Sequence, residues 1–133
     1  MTGSPAEFEL PAAMREEIIA HARTEAPREC CGVILSKDGE LIELRRLTNF
    51  YEPESGELYR LVVETDESGT EIAAIYHSHP VSRAYPSARD VEHAGWPESV
   101  YLICSLEHPD TPVIRAFRIV DGAITELTLL SDN

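Results

Sequence analysis

The chain has 133 residues, the length of one ordinary domain, and its 43% apolar and 26% charged residues are a composition that folds without a disulfide staple. Its 24 acidic and 11 basic residues leave a formal net charge of −13. That balance argues against nucleic acid and against an anionic membrane surface, both of which need a basic face.

Other bulk features narrow the class further. No apolar run reaches the roughly 20 residues of a membrane helix. The first residues show neither the basic nor the apolar region of a signal peptide. The expectation is one domain over residues 1–133, acting in the cytoplasm. The acidic surface favours solubility, and it would also speed encounter with a basic docking face. Cys30, Cys31 and Cys104 make an odd set with two adjacent members, a poor disulfide framework. All three lie in apolar runs, as buried reduced thiols do.

In chain order, Pro11 to Ala26 reads as a helix. Met14, Ile18, Ile19 and Ala22 recur at helical spacing, and Pro27 ends it. Cys31 to Ser36 reads as a strand, Lys37-Asp38-Gly39-Glu40 as a hairpin turn and Leu41 to Leu47 as the returning strand. Asn49 to Glu57 reads as a loop, and Leu58 to Glu64 as strand-like. Glu71 to Tyr76 is a buried strand leading into His77-Ser78-His79-Pro80. Ser87 opens a short helix, with Asp90 three residues on, a capping-box signature. Val100 to Leu106, Val113 to Val120 and Ile124 to Leu130 are strands, the last two joined by an Asp121-Gly122 turn. Such an order of strands and helices gives an α/β fold, a mixed sheet with helices packed against it.

The chemistry concentrates around two histidines. His77 and His79 are two apart at a strand end, and side chains at i and i+2 share a face, so both imidazoles can converge on one ion. Asp90 follows across a Pro-flanked segment. Two histidines and a carboxylate are a ligand set for hydrolytic zinc, which keeps a fourth position for water and lowers that water's pKa toward about 7. A bare His-x-His is a weak signal, and Ser87-x-x-Asp90 is also an ordinary helix cap. Asp90 reads as cap, ligand or both.

The full string is more specific. His77-Ser78-His79, the seven residues Pro80 to Pro86, then Ser87-Ala88-Arg89-Asp90 resemble the JAMM motif of the MPN metalloprotease family, His-x-His-x(7)-Ser-x-x-Asp. Pro27-Arg28-Glu29-Cys30-Cys31-Gly32 is similar to that family's upstream Glu-x-Cys-Gly segment. The stretches Tyr101 to Leu106 and Arg115 to Gly122 resemble its small, single-domain prokaryotic branch, nearest to the Mec-type sulfur-carrier-protein hydrolases. The resemblance implies a cytidine-deaminase-like MPN fold with a curved mixed sheet. It implies Zn2+ held by His77, His79 and Asp90, with Glu29 as general base. It implies hydrolysis at the C-terminus of a ubiquitin-like sulfur carrier, releasing an amino acid such as cysteine, or deconjugation of other ubiquitin-like proteins by a desampylase-like isopeptidase.

Ser87 carries two readings, oxyanion donor and N-cap, which one hydroxyl can combine. Phe50, Tyr51 and Tyr59 lie where the family's first insertion borders the substrate, and plain loop packing explains them equally well. Ser82, Arg83 and Tyr85 fall between the ligands, and Arg83 suits a terminal carboxylate. The second insertion is short here, Glu92 to Ser99. His93 and His108 read as surface residues, and His21 has no assigned role. A cysteine nucleophile would need an exposed, electropositive setting, which these apolar runs do not offer. A non-catalytic MPN module with structural zinc, and a zinc hydrolase of small substrates, remain as competing readings. A deaminase would need the His-x-Glu and Pro-Cys-x-x-Cys signature, which is absent. A homodimer is compatible with the sequence and not dictated by it.

Overall fold

A computed structural model describes residues 7–48 and 56–131. The chain runs through β1 (Glu7–Leu10), α1 (Ala12–Glu25), β2 (Cys31–Lys37), β3 (Glu40–Leu47), α2 (Glu57–Ser68), β4 (Glu71–His79), α3 (Ala88–Glu92), β5 (Val100–Ser105), β6 (Val113–Val120) and β7 (Ala123–Ser131). The strands form one mixed sheet in the order β1-β7-β6-β5-β4-β2-β3. β4–β5 and β1–β7 pair in parallel, and the other neighbours antiparallel. Register shifts in β2 near Leu35 twist and curve the sheet beside β4. Among the described residues, no helix is long and apolar enough to cross a membrane.

Local chemistry explains most of these elements. The β2–β3 and β6–β7 turns place Asp38-Gly39 and Asp121-Gly122 at positive φ, as two-residue hairpin turns require. Helix α1 buries Ile18, Ile19 and Ala22 against the sheet, the stripe its periodicity predicts.

Two elements differ from the sequence expectation. Residues 58–64, expected as a strand, lie in helix α2. A short apolar run such as Leu61-Val62-Val63 suits either structure, and here Leu61 and Thr65, one turn apart, are the pair that faces inward. Gly69 at positive φ ends the helix, its amide bonded to the Thr65 carbonyl. Strand β1 was not expected at all. Its four residues pair with Thr128 to Ser131 at the far end of the chain, a partner local pattern cannot reveal.

Each face of the sheet carries its own core. Towards α1 lie Ile34, Ala74, Tyr76, Leu102, Cys104 and Ala116. On the opposite face lie Val33, Ile75, Tyr101 and Ile119, packed on Leu61 of α2. Tyr76 ties α1 to the sheet. Its ring lies over Gly32, its register partner on β2, and its hydroxyl meets Nδ1 of the buried His21 at 2.7 Å. Burial holds His21 below its ordinary pKa, helped by the charge of Arg46.

A Cβ on residue 32 would stand 2.3 Å from Cε2 of Tyr76, deep inside contact distance. Gly32→Ala is therefore expected to lose about 1–3 kcal/mol by overpacking. Urea unfolding should show a lower midpoint at unchanged slope.

Candidate metal centre

Alternation along β4 sorts its side chains. Tyr76 and Ser78 turn to the α1 side, and His77 and His79 to the other. A parallel β4–β5 pair demands a crossover connection. Residues 80–99 supply it, and they carry α3 back to the end of β4. Asp90, in the first turn of α3, is thereby set against both imidazoles.

The three side chains are buried and meet closely. His77 Nε2 lies 3.2 Å from His79 Nε2, and Asp90 Oδ2 lies 3.1 Å from the former and 3.0 Å from the latter. Among the described residues they form the one cluster whose donor atoms could jointly hold a metal ion.

Two of the three members are oriented from outside. His79 Nδ1 lies 2.8 Å from the Arg83 carbonyl. A carbonyl only accepts, so Nδ1 carries a proton, and Nε2 faces the cluster, donating to Asp90 when the ring is charged and offering a lone pair when it is neutral. Asp90 completes a capping box with Ser87. The Ser87 amide donates to Asp90 Oδ2 at 2.9 Å, and the Asp90 amide donates to Ser87 Oγ at 3.1 Å. Asp90 thus both caps and faces the imidazoles, through a single oxygen. His77 Nδ1 is buried without a hydrogen-bond partner, so Nε2 alone orients that ring.

The electrostatics follow. Burial works to raise the Asp90 pKa, but hydrogen bonds from His77, His79 and the Ser87 amide outweigh it and hold the carboxyl far below the usual range. Burial likewise works to lower His79, and the Asp90 carboxylate and Arg83 carbonyl more than offset it, aided by the charge of Glu29.

Glu29 is exposed, one residue ahead of the buried Cys30. The β2–β4 register ends at Cys31 opposite His77, two residues after Glu29, and the charge of Glu29 acts on His79. No hydrogen bond joins Glu29 to the three buried side chains. The neighbouring backbone is pinned instead: Ser78 Oγ accepts from the Cys30 amide at 2.8 Å, and the Ser78 amide donates to the Cys30 carbonyl at 3.1 Å. Sequence reasoning passed over Ser78. The available signal was a polar residue at the one position between the histidines that must face the α1-side core.

The remaining candidates divide. Ser87 is exposed, and its hydroxyl accepts from Asp90 while keeping a proton to donate. Arg83 meets the cluster through its carbonyl, while its guanidinium lies over the Tyr85 ring at 4.9 Å. Tyr85 packs edge-on against Phe117. The Ser82 carbonyl accepts from Ser105 Oγ at 2.6 Å. Tyr59 is exposed on α2. Phe50 and Tyr51 lie outside the described residues. His93 caps the C-terminus of α3 and His108 is exposed after β5; neither joins the cluster. All three cysteines are free and buried, and burial pushes Cys104 up to about 11 and raises Cys30, so neither offers a ready thiolate.

A mixed sheet with a His-His-Asp cluster at the end of a central strand, backed by a capping box, defines a JAMM-type peptidase. The sequence profile for prokaryotic homologs of the JAB domain matches residues 11–120, and the chain belongs to that family. It is 35% identical over 117 residues to the CysO-cysteine peptidase of Mycobacterium tuberculosis, covering 82% of this chain and 80% of that one. The desampylase of Haloferax volcanii is 36% identical over 109 residues, covering 72% of this chain and 78% of its own. Among solved structures, protein DSY2949 from Desulfitobacterium hafniense superposes with a TM-score of 0.78 at 30% identity, covering 94% and 92% of the two chains. A JAB1/MPN domain protein from Archaeoglobus fulgidus shares the fold, with a TM-score of 0.63 at 17% identity and coverage of 92% and 99%.

Removing the Ser78 hydroxyl strands a buried amide. Ser78→Ala is expected to cost about 1–3 kcal/mol. Hydrogen exchange should quicken at the Cys30 amide more than at neighbouring β2 amides.

Proposed function

We propose that this chain is a zinc-dependent metallopeptidase that hydrolyses the amide bond at the C-terminus of a ubiquitin-like, β-grasp sulfur-carrier protein, releasing an amino acid such as cysteine. The observation that carries the reading is the convergence of His77, His79 and Asp90, with donor separations of 3.0–3.2 Å. That spacing is close to the roughly 3.3 Å edge kept by donors about 2.0–2.1 Å from a tetrahedral zinc. The donor set fits as well: two imidazole nitrogens, one with its tautomer fixed, and an ionised carboxylate. Three protein ligands leave the open position of a hydrolytic site.

His77, His79 and Asp90 would hold the metal, which when bound supplies a Lewis acid that acidifies water and polarises a carbonyl. Glu29 takes a proton from the attacking water as the water's oxygen bonds to the carbonyl carbon. It returns that proton to the amide nitrogen as the C–N bond breaks. The products are a carboxylate on the carrier and a free amine on the released residue. Ser87 donates its hydroxyl proton to the carbonyl oxygen as negative charge grows there, and its oxygen keeps accepting from Asp90. Arg83 and Tyr85 would line the leaving-group side. Tyr51 is kept as a candidate contact on the carrier side, outside the described residues.

Likeness to the CysO-cysteine peptidase supports a carrier adduct as substrate. Likeness to the desampylase supports a second reading, cleavage of ubiquitin-like proteins from other proteins. The buried thiols and the lack of a membrane-crossing helix among the described residues accord with action in the cytoplasm.

The purified protein should carry about one zinc per chain, and His77→Ala or Asp90→Ala should lose it by elemental analysis. Glu29→Gln should keep the zinc and lose roughly 10²–10⁴-fold in turnover. Turnover is read by mass spectrometry as the loss of one residue from a carrier–cysteine adduct. Undiminished hydrolysis by fully demetallated protein would sink the reading. Zinc retention with no mass loss would favour a binding module.

A further inference from the structure

We propose that the cavity beside His79, on the flank away from Glu29, binds the free α-carboxylate of the residue being released, which makes this chain an exo-acting peptidase. The inference rests on the peptidase reading above and names its substrate class.

The cavity has a volume of about 200 Å³ and is walled by Arg83, Ser105, Glu107, His108, Thr111 and Arg115, among others. None of His77, His79 and Asp90 lines it, and two of its wall residues link it to His79. Ser105 pairs with His79 across β4–β5, and the Arg83 carbonyl holds His79 Nδ1. β2, which leads out of Glu29, borders β4 on its other edge. A scissile bond lying over the cluster therefore has Glu29 on one flank and this cavity on the other.

Size fits the ligand. The cavity holds roughly the volume of six or seven waters at ~30 Å³ each, comparable to one small amino acid. A folded carrier cannot enter such a space, and a single released residue can.

Charge assigns the ligand. The chain is strongly acidic, yet Arg83 has no carboxylate within ion-pair distance among the described residues. Of the other charged wall residues, Arg115 is engaged and Glu107 lies beside an exposed histidine. Arg115 is bound to Glu126 by two N–H groups, at 2.8 and 2.5 Å, and Glu107 stands 3.9 Å from His108. The Arg83 guanidinium lies over Tyr85 at 4.9 Å, and its fork of N–H groups matches a carboxylate through two parallel hydrogen bonds. Only a residue at a chain end offers that carboxylate next to the scissile bond. A lysine inside another protein has its α-carboxyl locked in a peptide bond, so isopeptides of that kind are poor substrates.

The test uses two synthetic peptides ending in Gly-Gly-Ala, one with a free C-terminal carboxylate and one with a carboxamide. Binding to metal-free protein is measured by NMR titration, and hydrolysis with the zinc-loaded enzyme. The wild type should bind the acid about tenfold more tightly than the amide. Arg83→Ala should abolish that preference while its zinc content stays unchanged, because the backbone carbonyl that holds His79 remains. Equal affinity for the two peptides, no binding of either, or a preference that survives in Arg83→Ala overturns the proposal. If the acid preference holds and the loaded wild type cleaves neither peptide, the pocket stands and the peptidase reading falls.

Discussion

A carboxylate buried against two imidazoles is the interaction around which the rest of this protein is arranged. Taking an ionised Asp90 out of water costs several kcal/mol unless hydrogen bonds or a cation replace its hydration. The fold replaces part of it with the Ser87 amide and both imidazole Nε2 atoms. Those groups sit on different segments, so the crossover from β4 to α3 has one arrangement that satisfies all of them. The deep depression of the Asp90 pKa expresses that dependence. A divalent cation at the same point would complete the replacement, and a preformed donor set of this kind is how a protein lowers the cost of binding one.

β4 then divides the labour between its two faces. Tyr76 and Ser78 point into the α1-side core, where they fasten the strand to α1 and to the segment before β2. His77 and His79 point the other way, into the cluster. A strand with period two is well suited to this, because a structural residue next to a reactive one never competes with it for space. Gly32 belongs to the structural half: it is small because the Tyr76 ring occupies the space above it. Glu29 gains its place through the same fastening, since the Ser78 hydroxyl holds the backbone one residue away.

The two flanks of the cluster are unlike in charge. On the β2 side stands an exposed carboxylate without a hydrogen bond to the buried side chains. On the β5 side is a cavity of one residue's size with a guanidinium that has no carboxylate partner among the described residues.

Much of the site was legible in the sequence because its determinants are local. His77 and His79 share a face by strand period alone, and Ser87 with Asp90 forms a cap by helix geometry alone. The hairpin turns at Asp38-Gly39 and Asp121-Gly122 follow from backbone sterics. What only the tertiary structure decided involves partners distant in sequence. Whether 58–64 became helix or strand depended on which residues the opposite face of the sheet would bury. β1 exists because β7 is there to pair with it. The approach of the Glu29 segment to the histidines comes from the β2–β4 pairing, which no spacing within either segment contains. Arg83 was legible as a cation near the site, but its carbonyl's hold on His79 and its place on a cavity wall needed the folded crossover. Sequence fixed the donors because they are neighbours along the chain; the fold alone could choose what surrounds them, because packing joins segments that the chain keeps apart.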